Sequence, residues 1–466
     1  MPGISGARGT VRPLLRLVAP VLLEQVLALS VGFVDKWLAG NLFSDAEPLA
    51  AVGLVAYSLA FLPVLFVMPA AAATALVARH VGAGDWAAAR RATAQSLLMA
   101  TVLTVVSLAV AATCGQHIVR GLGLPEGSAR LAADYLAIVV PALPAMMLIH
   151  VGVAALRGAG DMVAGLLVMS VVNLVNAGAS YALATGLLGL PRLGWEGLAW
   201  GTALGYGCGA ACVLILGRSR DARMRPRAAD WRPQRDWARR IVRVGLPAGT
   251  DAAANAACHM AFLAIVNRLG NLDAAAHAVA ITIESLAFLP GSAFQVAAAT
   301  LAGQFLGARD ERRARRSVWF AALTCAGLMS AAGACFFLWA EPLAGWFVGG
   351  AARQPGVASA AAGLVRIVAF AQPPLALLMV LSGGLRGAGA TRPPLLVNFL
   401  GMLTIRLPLA LVLSAPTLEL PLGAGTIAGW DLGVRGAWLA MAADLSARGA
   451  AMLVIFARTR WTRVAV

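Results

Sequence analysis

Apolar residues along the chain form long continuous stretches, without the short periodic patterns that are typical of soluble domains. A helix needs about 20 apolar residues to cross the hydrocarbon core of a bilayer, and twelve stretches reach that length. The stretches are rich in Ala, Leu and Val, and they lack the ten-residue alternation of membrane β-strands. The pattern therefore predicts an all-α membrane protein with twelve transmembrane helices. The predicted spans are residues 15–40, 47–75, 94–115, 132–155, 162–187, 196–217, 244–268, 274–303, 317–340, 358–383, 393–414 and 435–458.

Composition agrees with a membrane protein. Hydrophobic residues make up 60% of the chain, charged residues make up 12%, and the mean hydropathy is +0.79. Soluble domains are about 45–50% apolar and about 25% charged, so a large soluble enzyme and a disordered chain are both excluded. The 50 glycines predict close packing between helices. The first stretch is too long for a removable signal peptide and is expected to remain in the protein.

The net charge of +16 could indicate a nucleic-acid partner. If the N-terminus is placed inside, however, the inner loops hold 27 of the 37 basic residues. Positive loops stay on the cytoplasmic side. We therefore expect a multi-pass protein of the plasma (inner) membrane with both termini in the cytoplasm. The excess charge is expected to attract anionic lipid and no nucleic acid.

The chain contains an internal repeat. Three motif pairs recur in one order: YSLAFLP at 57–63 with ESLAFLP at 284–290, VGAGD at 81–85 with LGARD at 306–310, and LRGAGD at 156–161 with LRGAGA at 385–390. The repeat predicts an N-lobe at 1–217, an Arg-rich cytoplasmic linker at 218–243 and a C-lobe at 244–466. Parallel halves with substrate between them are a transporter architecture. The LRGAG loops are either inner-side turns or parts of a gate.

Several motifs together resemble the multidrug and toxin extrusion (MATE) family. They are Gly32-Phe-Val-Asp35, Ala50-Ala-Val-Gly-Leu54, Thr300-Leu-Ala-Gly-Gln304-Phe-Leu-Gly-Ala308 and the two loop pairs. The resemblance implies two six-helix lobes around a central cavity. It also implies antiport of cationic or amphipathic drugs and toxins against H⁺ or Na⁺, a lipid environment, a monomer and no cofactor. The matches favour the DinF-like over the NorM-like branch, because Asn255 stands where NorM-like members keep a glutamate.

Asp35 is the first candidate for ion coupling, since ionisable groups within membrane helices are costly and are functional candidates by default. It lies fifteen residues after Pro20, which can kink the helix. In the family, an aspartate of the first helix that is preceded by such a proline is the cation or proton site. A carboxyl group removed from water favours its neutral form and can exchange a proton. Its neighbour Lys36 either snorkels to the interface or alters the coupling.

Asn176 and Ser180 share one helix face and are expected to join Asp35. In the DinF-like branch an acid stands at the position of Ser180, so a two-acid proton relay is in doubt here. Oxygen ligands from these three residues could serve Na⁺. The alternative for Asn176 is a hydrogen bond between helices.

Glu284 is the second candidate for binding protons or cationic drugs, and its alternative is an ion pair with Arg406. Asp444 and Arg448 are expected to neutralise each other. Glu24 lies on nearly the same helix face as Asp35. The residues expected to line a substrate cavity are Tyr57, Asn173, Tyr181, Asn255 and Asp251.

Other chemistry has no signature in the sequence. There is no P-loop, no GxSxG and no HExxH motif, so an enzyme is not expected and active transport must draw on an ion gradient. The six cysteines lack the CxxC spacing of zinc sites. The alternative function is a flippase for lipids or lipid-linked oligosaccharides. Against it, only Arg366 and Arg406 could meet an anionic head group within the membrane.

Overall fold

A computed structural model describes residues 11–42, 64–121, 126–219, 222–348, 356–419 and 426–464. The described chain is almost entirely helical, apart from a two-stranded antiparallel pair, β1 (Thr417–Glu419) and β2 (Thr426–Ala428). The helices are α1 (Val11–Leu42), α2 (Val64–Gly82), α3 (Trp86–Gly121), α4 (Glu126–Val139), α5 (Leu143–Gly158), α6 (Val163–Thr185), α7 (Trp195–Ser219), α8 (Arg235–Asn267), α9 (Asn271–Gly307), α10 (Glu311–Leu338), α11 (Ala340–Val348), α12 (Val357–Gly387), α13 (Arg392–Gly401), α14 (Leu407–Ser414) and α15 (Gly433–Arg458).

Eleven helical segments of the described chain are long and apolar enough to cross a membrane. They match eleven of the twelve predicted spans, so the expected all-α membrane protein is confirmed. The second predicted span lies partly outside the described residues, and its described part continues as α2 to Gly82. The remaining predicted span, 244–268, is helical within α8. It is not among the eleven, because Asp251, Asn255 and His259 interrupt its apolar sequence.

Contacts divide the chain into two compact units. Unit 1 holds residues 1–249 and 303–310, and unit 2 holds residues 250–302 and 311–465. The predicted linker, residues 218–243, therefore belongs to unit 1. Asp230 in this linker is only 3% exposed. It pairs with Arg90 at 3.4 Å and Arg91 at 3.5 Å on α3, which holds the linker against that helix.

In unit 1, α1 packs on α6, α6 packs on α7, and α2 packs on α3 and α5. A continuous apolar core with Phe66, Tyr135 and Trp195 lies between these helices. In unit 2, α12 packs on α10, α11 and α15, and α14 packs on α15. A π-helical turn, Met402–Arg406, joins α13 to α14. Such turns are rare and frequently occur at functional sites.

The repeated loop motifs adopt matching backbone conformations. The last glycine of each LRGAG motif has a positive φ, 96° at Gly160 and 84° at Gly389, which is the expected turn. In the shorter motif Gly84 has a φ of 76°, whereas its counterpart Arg309 has a φ of 61°. A side chain in this region costs roughly 1–2 kcal/mol. The second copy therefore holds strain that the first copy avoids.

Candidate functional site

Asp35 lies at the centre of a buried polar site in unit 1, and its side chain accepts hydrogen bonds from three other helices. Tyr135 on α4 donates to Oδ2 at 3.0 Å, and Thr202 on α7 donates to the same oxygen at 3.1 Å. Asn176 on α6 donates from Nδ2 to Oδ1 at 3.4 Å. Asp35 is 5% exposed, and the other three side chains are at most 1% exposed. The carboxyl group is therefore enclosed by donors on α4, α6 and α7.

Three oxygens of this site form a closed triangle. The hydroxyls of Tyr135 and Thr202 lie 2.9 Å apart, and each also contacts Oδ2 of Asp35. Three contacts need three protons, but the two hydroxyls supply only two. A proton on Asp35 would supply the third. The triangle is thus fully hydrogen-bonded only when the carboxyl group is protonated.

Asn176 and Ser180 both join this site, but in different ways. Nδ2 of Asn176 carries two hydrogens and lies within hydrogen-bond distance of three oxygens, at 2.9 Å from Thr202 and at 3.4 Å from both Oγ of Ser180 and Oδ1 of Asp35. Ser180 is turned to the backbone of α7, where its hydroxyl donates to the carbonyl oxygen of Leu198 at 3.3 Å. Oδ1 of Asn176 is buried and accepts no hydrogen bond from a described residue.

A row of glycines on α7 brings these side chains together. Gly197, Gly201, Gly205 and Gly209 recur every fourth residue and face α6. A Cβ at Gly201 would collide with Ser180, and a Cβ at Gly205 would lie 3.2 Å from Cβ of Asn176. Small residues allow the backbones of membrane helices to approach closely. This close approach places Thr202 against Asn176.

Two central residues of the site, Tyr135 and Thr202, were not predicted from the sequence. The glycine spacing on α7 was a usable signal for Thr202, because it marks the helix face that meets α6. Tyr135 is one of only four tyrosines in the chain. A tyrosine within an apolar span needs a partner for its hydroxyl, and that requirement could have led to Asp35.

The other predicted residues of unit 1 lie outside this hydrogen-bonded group. Asn173 donates from Nδ2 to the carbonyl oxygen of Leu27 at 2.9 Å, which links α6 to α1. Tyr181 is 44% exposed, and Lys36 is exposed without an ion pair to Asp35 in the described part of the chain. Pro20 lies within α1 as expected. Tyr57 lies outside the described residues.

Each LRGAG arginine forms an ion pair with an acid on the first helix of its own repeat. Arg157 at the end of α5 pairs with Glu24 on α1, and Arg386 at the end of α12 pairs with Asp251 on α8. Each acid stands four residues after a proline, Pro20 or Pro247. The expectation that Asp251 lines a substrate cavity does not fit this position. Asp251 is 3% exposed, and its charge is already paired.

Asp444 forms a second buried ionic group in unit 2, with two partners instead of the expected one. Arg448 donates to both carboxylate oxygens, and Arg406 donates to Oδ2 at 2.8 Å. Arg406 is therefore not the ion-pair partner of Glu284. Glu284 is half-buried, and its Oε2 accepts no hydrogen bond from the described residues. Asn255 is exposed on α8.

Comparison with known proteins assigns the chain to a family. The MatE family model matches residues 20–182 and 247–412. The chain is 31% identical to the probable multidrug resistance protein NorM of Deinococcus radiodurans, over 97% of both chains. It is 27% identical to the protein of the same name from Thermotoga maritima, over 98% of this chain and 94% of that one.

A solved structure of MATE in the bent conformation covers 98% of this chain and 95% of its own, with a TM-score of 0.85 at 20% identity. This likeness supports the fold. The names of the two relatives do not support the expected DinF-like branch, which stays unconfirmed. The family model, by contrast, matches both repeats and well over half of the chain. The chain is a multi-pass membrane protein of the MATE family, which is a family of transporters and not of enzymes.

Proposed function

We propose that this protein is a secondary active antiporter that exports cationic or amphipathic drugs in exchange for protons taken up at Asp35. The observation that carries the proposal is the oxygen triangle of Asp35, Tyr135 and Thr202, which lacks one proton when Asp35 is ionised. Proton binding completes the hydrogen bonds, and proton release leaves a charged carboxylate within the membrane. The protonated and ionised forms of Asp35 therefore differ in charge and in hydrogen bonding, and a proton gradient can drive the change from one form to the other.

Sodium is the alternative coupling ion, and the donor set favours it less. A hard cation needs several oxygen ligands. Asn176 turns its amide nitrogen, a donor, toward Asp35, and the hydroxyl of Ser180 is engaged with a backbone carbonyl. Oδ1 of Asn176 accepts no hydrogen bond from a described residue, but the amide nitrogen is the atom that lies toward Asp35, so a Na⁺ ion bound between the two residues would require this amide to turn.

The proposed substrate class and the proposed membrane location rest on the relatives and on the charge of the loops, and not on the Asp35 site. The two relatives reported above are named as multidrug resistance proteins, which favours drug export for this chain. The basic inner loops favour a plasma (inner) membrane location with both termini in the cytoplasm. Glu284 is proposed as a second ionisable group of the transport cycle. The substrate is expected to be a small molecule, and the protein is expected to act as a monomer.

The decisive experiment uses purified protein in proteoliposomes and ethidium as the probe. Ethidium transport is compared after a pH jump and after a Na⁺ jump. We expect the pH jump alone to drive transport, and we expect Asp35→Asn to abolish it. Asp134→Asn is the matched control, because Asp134 is an exposed acid next to Tyr135 on α4. Transport driven by Na⁺ alone, or full transport by Asp35→Asn, would contradict the proposal.

A flippase for lipids or lipid-linked oligosaccharides has weaker support from the structure than a drug exporter has. Binding a pyrophosphate calls for several basic side chains with free donors. Arg366 is paired with Glu341 at 3.0 Å on the exposed surface. Of the two arginines considered, only Arg406 is buried, and one arginine does not supply the several basic side chains that a pyrophosphate needs, so the described residues favour drug export.

A further inference from the structure

Unit 2 holds a surplus positive charge in its interior, at a cluster of Arg406, Asp444 and Arg448 that we call the Asp444 cluster. Arg448 donates to the carboxylate at 2.8 and 2.6 Å, and Arg406 donates to it at 2.8 Å. The three side chains are at most 6% exposed. Because one carboxylate faces two guanidinium groups, the cluster carries one net positive charge.

The neighbouring ionic groups do not cancel this charge. Asn398 connects the Asp444 cluster to Asp251, because it accepts a hydrogen bond from Arg448 at 3.2 Å and donates to Asp251 at 3.0 Å. The charge of Asp251 is already balanced by Arg386. The pair of Asp251 and Arg386 is therefore neutral, and the surplus positive charge lies at the other end of the network, at Arg406.

Arg406 has donors that the described residues leave unused. Its one side-chain hydrogen bond to a described residue runs from Nε to Asp444, and neither terminal amino group has such a partner. Gly401 leaves room for the cluster, since a Cβ there would collide with Arg448. Arg406 itself ends the π-helical turn. A guanidinium group with free amino groups matches the two oxygens of a carboxylate.

Glu284 on α9 supplies a second carboxylate in unit 2 that forms no ion pair among the described residues. The charge of Arg406 acts on Glu284, yet the two side chains form no ion pair, and Oε2 of Glu284 is buried without a partner among the described residues. An ionised Glu284 balances the surplus charge of the cluster, and a protonated one leaves it unbalanced. His259 on α8 is the other titratable side chain on which Arg406 acts.

We propose that Arg406 binds a carboxylate group carried by transported compounds, and that ionised Glu284 competes with this group. The inference rests on the proposed export of amphipathic compounds and names the residue that binds the carboxylate of those compounds that carry one. Such a compound binds together with a proton on Glu284, because this combination keeps the site neutral. A purely cationic compound gains nothing from Arg406.

The test compares two dyes that differ in one group, the methyl ester rhodamine 123 and its free acid rhodamine 110. Their binding to the purified full-length protein is followed by fluorescence polarisation over a range of pH. The wild type is expected to bind the acid more tightly as the pH falls. Glu284→Gln should bind the acid about tenfold more tightly at neutral pH and lose the pH dependence, so that its preference for the acid over the ester rises above that of the wild type.

The double variant Arg406→Met/Glu284→Gln is the matched control for charge. It leaves two neutral pairs, Asp444 with Arg448 and Asp251 with Arg386, so no buried charge is stranded. We expect it to lose the preference for the acid over the ester that Glu284→Gln shows. The inference is overturned if Glu284→Gln weakens binding of the acid, or if the double variant binds the acid as well as the single variant does. Wild-type protein that binds only the ester overturns this inference alone, whereas binding of neither dye overturns the proposed drug export as well.

Discussion

The buried ion pair between Arg386 and Asp251 is expected to stabilise unit 2, and its strength can be measured against an exposed pair in the same chain. The perturbation is a double-mutant cycle of Arg386→Met and Asp251→Asn. The exposed reference is the pair of Arg366 and Glu341, which are 43% and 70% exposed. Both pairs link an arginine on α12 to an acid on another helix.

The expected coupling free energy between Arg386 and Asp251 follows from how deeply the two side chains are buried. The side chain of Asp251 is 4% exposed and that of Arg386 is 24% exposed, so removal of either partner leaves a mostly buried charge. Breaking a fully buried pair costs about 3–5 kcal/mol. Arg386 is partly exposed to solvent, and Asn398 still donates to Asp251 at 3.0 and 3.2 Å when the arginine is removed. We therefore expect a coupling free energy below that of a fully buried pair, about 2 kcal/mol.

The assay is equilibrium unfolding in mixed detergent micelles, which gives a free energy of unfolding for the wild type, both single variants and the double variant. The same cycle with Arg366→Met and Glu341→Gln should give a coupling below about 1 kcal/mol, as is usual for exposed pairs. Equal coupling in the two cycles would refute the argument from burial. A coupling near zero for Arg386 and Asp251 would show that the buried pair does not stabilise the protein.

Three further predictions concern packing, strain and the site. Gly201→Ala should lower the free energy of unfolding and the yield of folded protein, since its Cβ would collide with α6, whereas Gly207→Ala has nothing within 4 Å and should be neutral. Arg309→Gly should raise the free energy of unfolding by up to about 1 kcal/mol, because it relieves a positive φ; a loss of stability would show that the strain is offset by contacts of the side chain. Tyr135→Phe should weaken pH-driven ethidium transport without abolishing it, because Asp35 keeps Thr202 as a donor; unchanged transport would remove Tyr135 from the site.

The helices were predictable because each apolar stretch is long and uninterrupted. The predicted span over 94–115, for example, lies within a longer helix that begins at Trp86 and carries charged residues in its first two turns. Boundaries were less accurate for this reason: a membrane helix continues into water, where hydropathy no longer marks it. The helix at 244–268 was predicted as one of the twelve apolar stretches, although Asp251, Asn255 and His259 interrupt it.

The candidate site was predictable only in part. Asp35, Asn176 and Ser180 could be found from residue type and spacing, since a polar group within an apolar span needs a partner. Tyr135 and Thr202 carried only general signals, a hydroxyl that needs a partner and a glycine-lined helix face, and their contact with Asp35 depends on how α4 and α7 pack in three dimensions. In unit 2 an ion pair between Arg406 and Glu284 was the alternative to a functional role for Glu284. Arg406 pairs with Asp444 instead, a choice that depends on the helix crossing near Gly401.

The central claim, that Asp35 exchanges a proton during transport, can be tested most directly by proton release. Ethidium is added to purified protein in a weakly buffered solution, and the pH change is followed with a soluble indicator. The account predicts that the wild type releases protons as the dye binds and that Asp35→Asn binds the dye without the release that Asp35 provides. Equal proton release by the wild type and Asp35→Asn would contradict the account.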